Sequence, residues 1–488
     1  VLGALTAGHL GVAAQGQSPA ATQLQAADGF MTSARYREAV LAYRSARNTD
    51  DAVLRVRAGV GEIRALHRIA AYIDGRIVGA AVAAADPADA NALAIYGDGL
   101  WGSGLFLEAE AQYAAALAID PANARARHGR GRALWAQHRF DDALVDLLHA
   151  TRADPGEAAY WCSLGSVYEQ LRRYPEAAAA LTQYVTLLPK NQEDPIALAA
   201  RAQVEFLRSF RSRVPLEGIG ADQIHVVPFR MVNGHVVVKG RLNGQAPVDL
   251  IVDTGAERVA LSAAMARRAG ITVVGRLETA GVGELARGFR SMETARLDQL
   301  EIGSLRVRNV PCLIKNPALP ALPTPEGEVF SPLALGLSIR VDYNRQELTM
   351  ARRLPDAAYD VTLPLRMTRL AVVRGVINGS SPAGFVVDTG GEATSVNLSV
   401  ASRLTPMVEA RRVPVRVYGM AGWDRSAFLM PFVDIDFGRG IGVEQSSVVV
   451  LNLDAPSALL GFQLGGIIGH QFLSRFTVSL DLPRSQMG

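Results

Sequence analysis

Cysteine is nearly absent from this chain of 488 residues, where only Cys162 and Cys312 occur, far apart in sequence. That excludes a disulfide framework and a zinc cluster, and both are expected as buried thiols. Histidine is also scarce. The eight present have no metal-ligand spacing, so each is expected in a structural or surface role, and no metal or other cofactor is expected. Charge of one sign is missing too: the net charge is +3 with no basic block, which makes no case for nucleic acid as a partner. Long apolar runs are lacking. The first residues, VLGALTAGHLGVAAQGQSPA, are small and apolar with no lysine or arginine before Arg35, but a run of about 14 residues is too short to span a bilayer. No integral membrane span is expected.

What is present is the composition of a folded protein, 49% hydrophobic and 20% charged, with a length that calls for two to four domains. Residues 1–23 resemble the apolar core and small-residue cleavage region of a secretory signal, with a cut after Ala14. The alternative is a disordered alanine-rich leader. On the first reading the protein is exported, to the periplasm or the medium.

Proline recurs at Pro87, Pro121, Pro155 and Pro189, a period of 34 that marks a helix-turn-helix repeat. Within three successive units glycine takes one place (Gly97, Gly131, Gly165), alanine another (Ala109, Ala143, Ala177) and an aromatic a third (Phe106, Phe140, Tyr174). Two antiparallel helices approach closely only where small side chains sit at the crossing; an aromatic fills the wedge, and proline stops the second helix. The pattern resembles the tetratricopeptide repeat family, with Trp161 at that family's tryptophan position in the third unit. ARYREAVLAYRSA fits an earlier second helix through Tyr36, Ala39, Tyr43 and Ala46, and the register then slips, which predicts a degenerate repeat before Pro87. The helical domain is expected over 24–214, ending in an amphipathic capping helix, DPIALAARAQVEFLRSFRSR, and a linker from Pro215 to about Gly220. Such an array commonly presents a concave face to a peptide or protein partner; a spacer or dimerisation role is the alternative.

After Ile224 short alternating or apolar runs broken by glycine and Asn-Gly pairs predict an all-β region. VKGRLNGQAPVDLIVDTG, Val238 to Gly255, aligns without gaps on VRGVINGSSPAGFVVDTG, Val373 to Gly390, at an offset of 135. Each copy reads as strand, tight turn at Asn243-Gly244 or Asn378-Gly379, strand, and then an acidic loop, Asp253-Thr254-Gly255 or Asp388-Thr389-Gly390. Read from residue types alone, the two aspartates form one acid/base pair or merely cap turns.

The copies resemble the lobes of retropepsin-like (pepsin-related) aspartic proteases, here fused in one chain, over about 222–488. Lobe 1 is expected at 222–354 and lobe 2 at 358–488. The fold class is thus multidomain: an all-α tetratricopeptide solenoid followed by an all-β bilobal protease-like region. Ala256 continues the first motif as in that family, whereas Gly391 departs from it. The family's apolar-apolar-Gly motif is matched by Ile467-Ile468-Gly469. Its counterpart in the first copy is Val329-Phe330-Ser331, where the serine is expected to cap a short helix opening at Pro332 and stopping at Gly336. The resemblance makes Asp253 and Asp388 the catalytic pair, with Thr254 and Thr389 cross-linking the loops and Gly255 and Gly390 letting the backbone turn beside the acids. It also implies a glycine-bearing hairpin over the substrate from each lobe, centred on Gly281 and Gly283 and on Gly419 and Gly422, with Trp423 as an apolar substrate contact. The residue-level alternatives are a surface hairpin and a half-buried core tryptophan. Glu257 and Glu392 are expected to be solvated or structural.

Two carboxyls within hydrogen-bond reach cannot both ionise cheaply, so they share a proton, and one site can activate a water and polarise a carbonyl. The resulting expectation is an aspartic endopeptidase, a hydrolase acting on a polypeptide substrate that the solenoid recruits. The alternatives are a catalytically inactive binding scaffold with the same domains, and lobes that pair between chains rather than within one.

Overall fold

The computed structural model describes residues 18–188, 195–220, 222–284, 288–319, 326–404 and 412–488. Most of the expected leader, with Ala14, and the fourth periodic proline, Pro189, lie outside the described residues.

Eleven helices are described before the first strand: α1 (Pro19–Thr32), α2 (Tyr36–Arg47), α3 (Ala52–Arg68), α4 (Tyr72–Ala85), α5 (Ala90–Gly102), α6 (Phe106–Ile119), α7 (Ala124–Ala136), α8 (Phe140–Ala153), α9 (Ala158–Gln170), α10 (Tyr174–Leu187) and α11 (Pro195–Ser209). They stack as antiparallel pairs, with α11 closing the end against α10. The first, α1, begins inside the stretch read as leader. The repeated glycines mark the helix crossings, as the sequence requires. A Cβ on Gly97 would lie 2.5 Å from Tyr113, one on Gly131 2.8 Å from Leu147, and one on Gly165 2.7 Å from Leu181. Ala109, Ala143 and Ala177 are fully buried beside them. The slipped unit is a helix pair like the rest, α3 and α4. Its first helix has 17 residues where α5 has 13, and the aromatic position returns at Tyr72, in step with Phe106, Phe140 and Tyr174 but 36 residues after Tyr36, so the slip of two residues lies between Tyr36 and Tyr72.

The rest of the chain folds as two β lobes of one topology. In the first, the strands run in the order His235–Leu242, Val248–Val252, Val329–Phe330, Val259–Ser262, Leu305–Lys315 and Phe289–Ile302, and the last pairs back onto the first to close a barrel. In the second the same order is filled by Ala371–Ile377, Ser381–Val387, Gly466–Ile468, Ser395–Asn397, Ile441–Leu451 and Phe428–Gly438, closed in the same way. Asn243 and Asn378 take positive φ in the tight turns, at 50° and 47°. The lobes join through a six-stranded sheet, three strands from each: Ile224–Pro228, Glu347–Ala351 and Ser338–Asp342, then Thr477–Asp481, Gln486–Met487 and Leu363–Met367. At its centre Ser338–Asp342 runs antiparallel to Thr477–Asp481. A continuous apolar core spans both lobes and this sheet.

The solenoid packs against the lobes. Leu100, Trp101 and Phe106 of α5 and α6 share one apolar cluster with Val372, Val386, Phe462 and Leu464 of the second lobe. The Phe106 and Phe462 rings meet edge to face at 5.1 Å, the Tyr72 hydroxyl donates to the Ser457 carbonyl at 2.9 Å, and Arg366 donates to both carboxylate oxygens of Glu110. At the other end α11 lies along the first-lobe strand Thr272–Ala280. Among the described residues no helix is long and apolar enough to cross a membrane.

Candidate active site

Each acidic loop is positioned by two parallel strands, as the apolar runs before it require. Val248–Val252 pairs with Val329–Phe330, and the Asp253 N–H donates to the Phe330 carbonyl at 3.0 Å. In the other lobe Ser381–Val387 pairs with Gly466–Ile468, and the Asp388 N–H donates to the Ile468 carbonyl at 3.0 Å. Phe330-Ser331 is therefore the counterpart of Ile468-Gly469. The capping role expected for Ser331 is not found: its hydroxyl is buried without a hydrogen-bond partner, and the following element is one 3-10 turn, Leu333–Leu335, with no side-chain cap. It does stop at Gly336, whose φ is +74°.

The loops face each other and are laced together by their threonines. The Thr254 hydroxyl donates to the Val387 carbonyl at 2.6 Å and accepts the Thr389 N–H at 3.0 Å. Reciprocally, the Thr389 hydroxyl donates to the Val252 carbonyl at 2.7 Å and accepts the Thr254 N–H at 3.2 Å. Both threonines are buried. Glycine is required beside them: a Cβ on Gly255 would lie 2.5 Å from the Asp388 carboxyl carbon, and one on Gly390 would lie 2.4 Å from that of Asp253. Each carboxyl also accepts from its own loop, Asp253 Oδ1 from the Gly255 N–H and Asp388 Oδ1 from the Gly390 N–H, both at 2.8 Å.

These surroundings shift both acids upward. Burial, then the charge of Asp388, then the hydrogen bond between the carboxyls hold Asp253 well above the ordinary carboxylate range. Asp388 is also raised by burial, but the N–H groups of Gly390, Gly391 and Gly255 and the hydrogen bond from Asp253 oppose it. Gly391, the departure from the family motif, has a reason: a Cβ there would lie 2.8 Å from Asp388 Oδ2.

Above the pair the two glycine hairpins meet. The Ala421 N–H donates to the Val282 carbonyl at 2.8 Å, and the Glu284 N–H donates to the Trp423 carbonyl at 3.0 Å. Gly283 has a φ of +134° and no room for a side chain, since a Cβ would lie 2.2 Å from the Ala421 carbonyl carbon. Gly281 lies against Met420, Gly419 lies against Val282, and Gly422 turns the second hairpin with φ +91°. Residues 285–287 of the first hairpin lie outside the described residues. Trp423 sits on the strand Gly422–Asp424, half-buried, edge to face with Tyr418, and lines the cavity beneath. Glu257 forms an ion pair with Arg369 across the lobes, and Glu392 accepts from Gln471.

Several groups around the site carry no periodic or motif signal. Lys315, buried at the end of an apolar strand, donates to the Gly327 carbonyl, and its charge acts to lower Asp253. Arg290, with its side chain 2% exposed, pairs with Glu326 and donates to the Met420 carbonyl at 3.2 Å, tying one hairpin to the base of the other. Arg258, three residues past Gly255, turns to the solenoid, where it donates to Gln203, approaches Glu169 and stacks on the Phe206 ring. A cavity of about 1370 Å³ begins at Asp253 and Asp388 and continues onto the inner face of α8, α9 and α10, lined there by Phe140, Cys162, Leu181 and Tyr184. Among the described residues no group of three His, Cys, Asp or Glu side chains could hold a metal ion.

Comparison with known proteins agrees with this architecture. The aspartyl protease family model matches residues 238–339 and 373–472, and a tetratricopeptide repeat model matches 96–149 and 128–192. No curated protein matches the chain. Among solved structures, the similar ones include a thermophilic TPR protein of Thermus thermophilus (17% identity, 39% of this chain, 99% of that chain, TM-score 0.31). Others are the MamA protein (18% identity, 34% of this chain, 91% of that chain, TM-score 0.23) and the TPR domain of Arabidopsis OM64 (24% identity, 25% of this chain, 94% of that chain, TM-score 0.22). The chain thus joins a tetratricopeptide repeat domain, at 96–192, to two following segments of the aspartyl protease family, at 238–339 and 373–472.

Proposed function

We propose that the protein is an aspartic endopeptidase that hydrolyses peptide bonds with a water activated between Asp253 and Asp388. The observation that carries this reading is the mutual placement of the acids, each carboxyl seated against the other loop's glycine and both shifted upward, Asp253 the further. Three N–H groups favour the charged form of Asp388, while the neighbouring charge favours the neutral form of Asp253. In the resting site the proton therefore sits on Asp253, which donates to the scissile carbonyl oxygen, and Asp388 takes the proton from the attacking water. The tetrahedral intermediate forms without a covalent bond to the protein. The hairpins over the site exclude bulk water and must part to admit substrate. The solenoid, continuous with the cleft, receives part of the same polypeptide. The apolar leader supports export, which N-terminal sequencing of protein from the cell envelope or medium checks.

The decisive experiment is digestion of an unfolded polypeptide, followed by mass spectrometry, with the unsubstituted chain, Asp253→Asn and Asp388→Asn. Both variants are expected to lose cleavage, and mixing them is expected not to restore it, because the threonine lacing joins loops of one chain. Substantial cleavage by either variant alone overturns the single-site reading.

A further inference from the structure

Five arginines line the cavity, and they differ in how their charge is met. Arg258 lies near Glu169, Arg369 pairs with Glu257, and Arg416 is exposed on the second hairpin. Arg172 and Arg352 are half-buried and have no carboxylate partner among the described residues. Arg172 stands in the turn between α9 and α10 and donates to the Leu216 carbonyl at 3.0 Å. Arg352 follows the interlobe strand Glu347–Ala351. They are close enough to repel: burial, and then the charge of Arg352, draw Arg172 down to about 10. Like charges held together away from water are costly unless an anion joins them. One comes from the solenoid and the other from the β lobes, so the pair exists only where the two are docked.

We propose that Arg172 and Arg352 form an outer substrate subsite that takes a carboxylate of the bound polypeptide, supplied by an acidic side chain or by the chain's C-terminus. The proposal rests on the reading of the cleft as a peptide site. Guanidinium groups suit this role because each offers a fork of donors to two carboxylate oxygens. The solenoid wall of the same cavity carries the apolar and aromatic Phe140, Leu181 and Tyr184 along with the polar Ser166, Glu169, Gln170 and Gln203, and a charge-assisted contact gains strength in such a half-buried setting. The subsite would place a carboxylate at a set distance along the chain from the scissile bond.

The test uses the full chain carrying Asp388→Asn, which binds without turnover, and fluorescence anisotropy with matched labelled peptides. The peptides differ only in one internal Glu or Gln and in a free or amidated C-terminus. Arg352→Gln and Arg172→Gln are expected to weaken the carboxylate peptides about tenfold while leaving the neutral amidated peptide unchanged, with Lys at either position restoring part of the loss. The arm that carries the loss, internal Glu or free terminus, identifies the source. Equal losses for neutral and carboxylate peptides, no loss for any, or no binding of carboxylate peptides to the parent would each overturn the subsite. Arg352→Gln alone keeps the test decisive if the Arg172 turn fails to fold. Cleavage is scored separately on the unsubstituted chain, so a failed protease reading with an intact carboxylate preference leaves the subsite standing.

Discussion

Thr254 and Thr389 each serve the opposite loop with a donor and an acceptor, so their loss is felt across the lobes. Thr254→Val would strand the Val387 carbonyl and the Thr389 N–H in a buried site, at a cost of about 2–4 kcal/mol. Thr254→Ser should keep most of that stability, and denaturant midpoints of the two variants check the contrast. The acids carry their own pH signature. Below the ordinary aspartate range both folded and unfolded chains hold the protons. As pH rises through that range the unfolded chain releases them while the buried pair, raised in the fold, retains at least one. The folded state then binds more protons, and stability falls with rising pH. The unsubstituted chain should therefore lose stability relative to the Asp253→Asn/Asp388→Asn chain as pH rises above about 4, measured as the difference in denaturant midpoint at each pH. At this scale the sequence was informative where a motif recurred: both Asp-Thr-Gly loops could be read, and so could the need for glycine beside each acid. Lys315 could not, because a lysine ending an apolar strand looks like any strand end at a surface.

Between the elements, the hairpins over the site depend on a buried charge. Arg290, in the first hairpin's returning strand, holds Glu326 and donates to the Met420 carbonyl in the turn of the second hairpin and to the Pro317 carbonyl. Arg290→Met leaves Glu326, 12% exposed, without its cation, and destabilisation of about 3–5 kcal/mol is expected. Thermal unfolding checks it, and hydrogen exchange should show the amides of Ala421 and Glu284 losing protection first. The glycines of TAGVGEL and VYGMAGWD predicted bending hairpins, and their contact supplies a reason for Gly283 that turn chemistry alone did not. The helical repeat was legible for a similar reason. Gly97, Gly131 and Gly165 mark crossings that recur at one spacing, whereas the longer α3 sets Tyr72 36 residues after Tyr36 instead of 34 and hid an equally regular helix pair.

For the whole molecule, the docking of solenoid on lobes has no sequence period behind it. Tyr72 and Ser457, or Glu110 and Arg366, are hundreds of residues apart, and neither member of a pair has a local pattern that names the other. Only the apolar character of Val372, Val386, Phe462 and Leu464 was visible, and it reads equally well as ordinary core. Each such side chain contributes roughly 1.5–3 kcal/mol when buried, and together they would form an exposed patch on lobes made without the solenoid. Residues 222–488 expressed alone should therefore aggregate, while the full chain stays monodisperse; light scattering of both decides the matter. The six-stranded sheet between the lobes bears on how the protein is made. Its central strand from the second lobe, Thr477–Asp481, is synthesised more than two hundred residues after Asp253. Until that strand has left the ribosome, the first acid has no fixed partner. Whatever chemistry the pair performs thus waits on the last strands to be made.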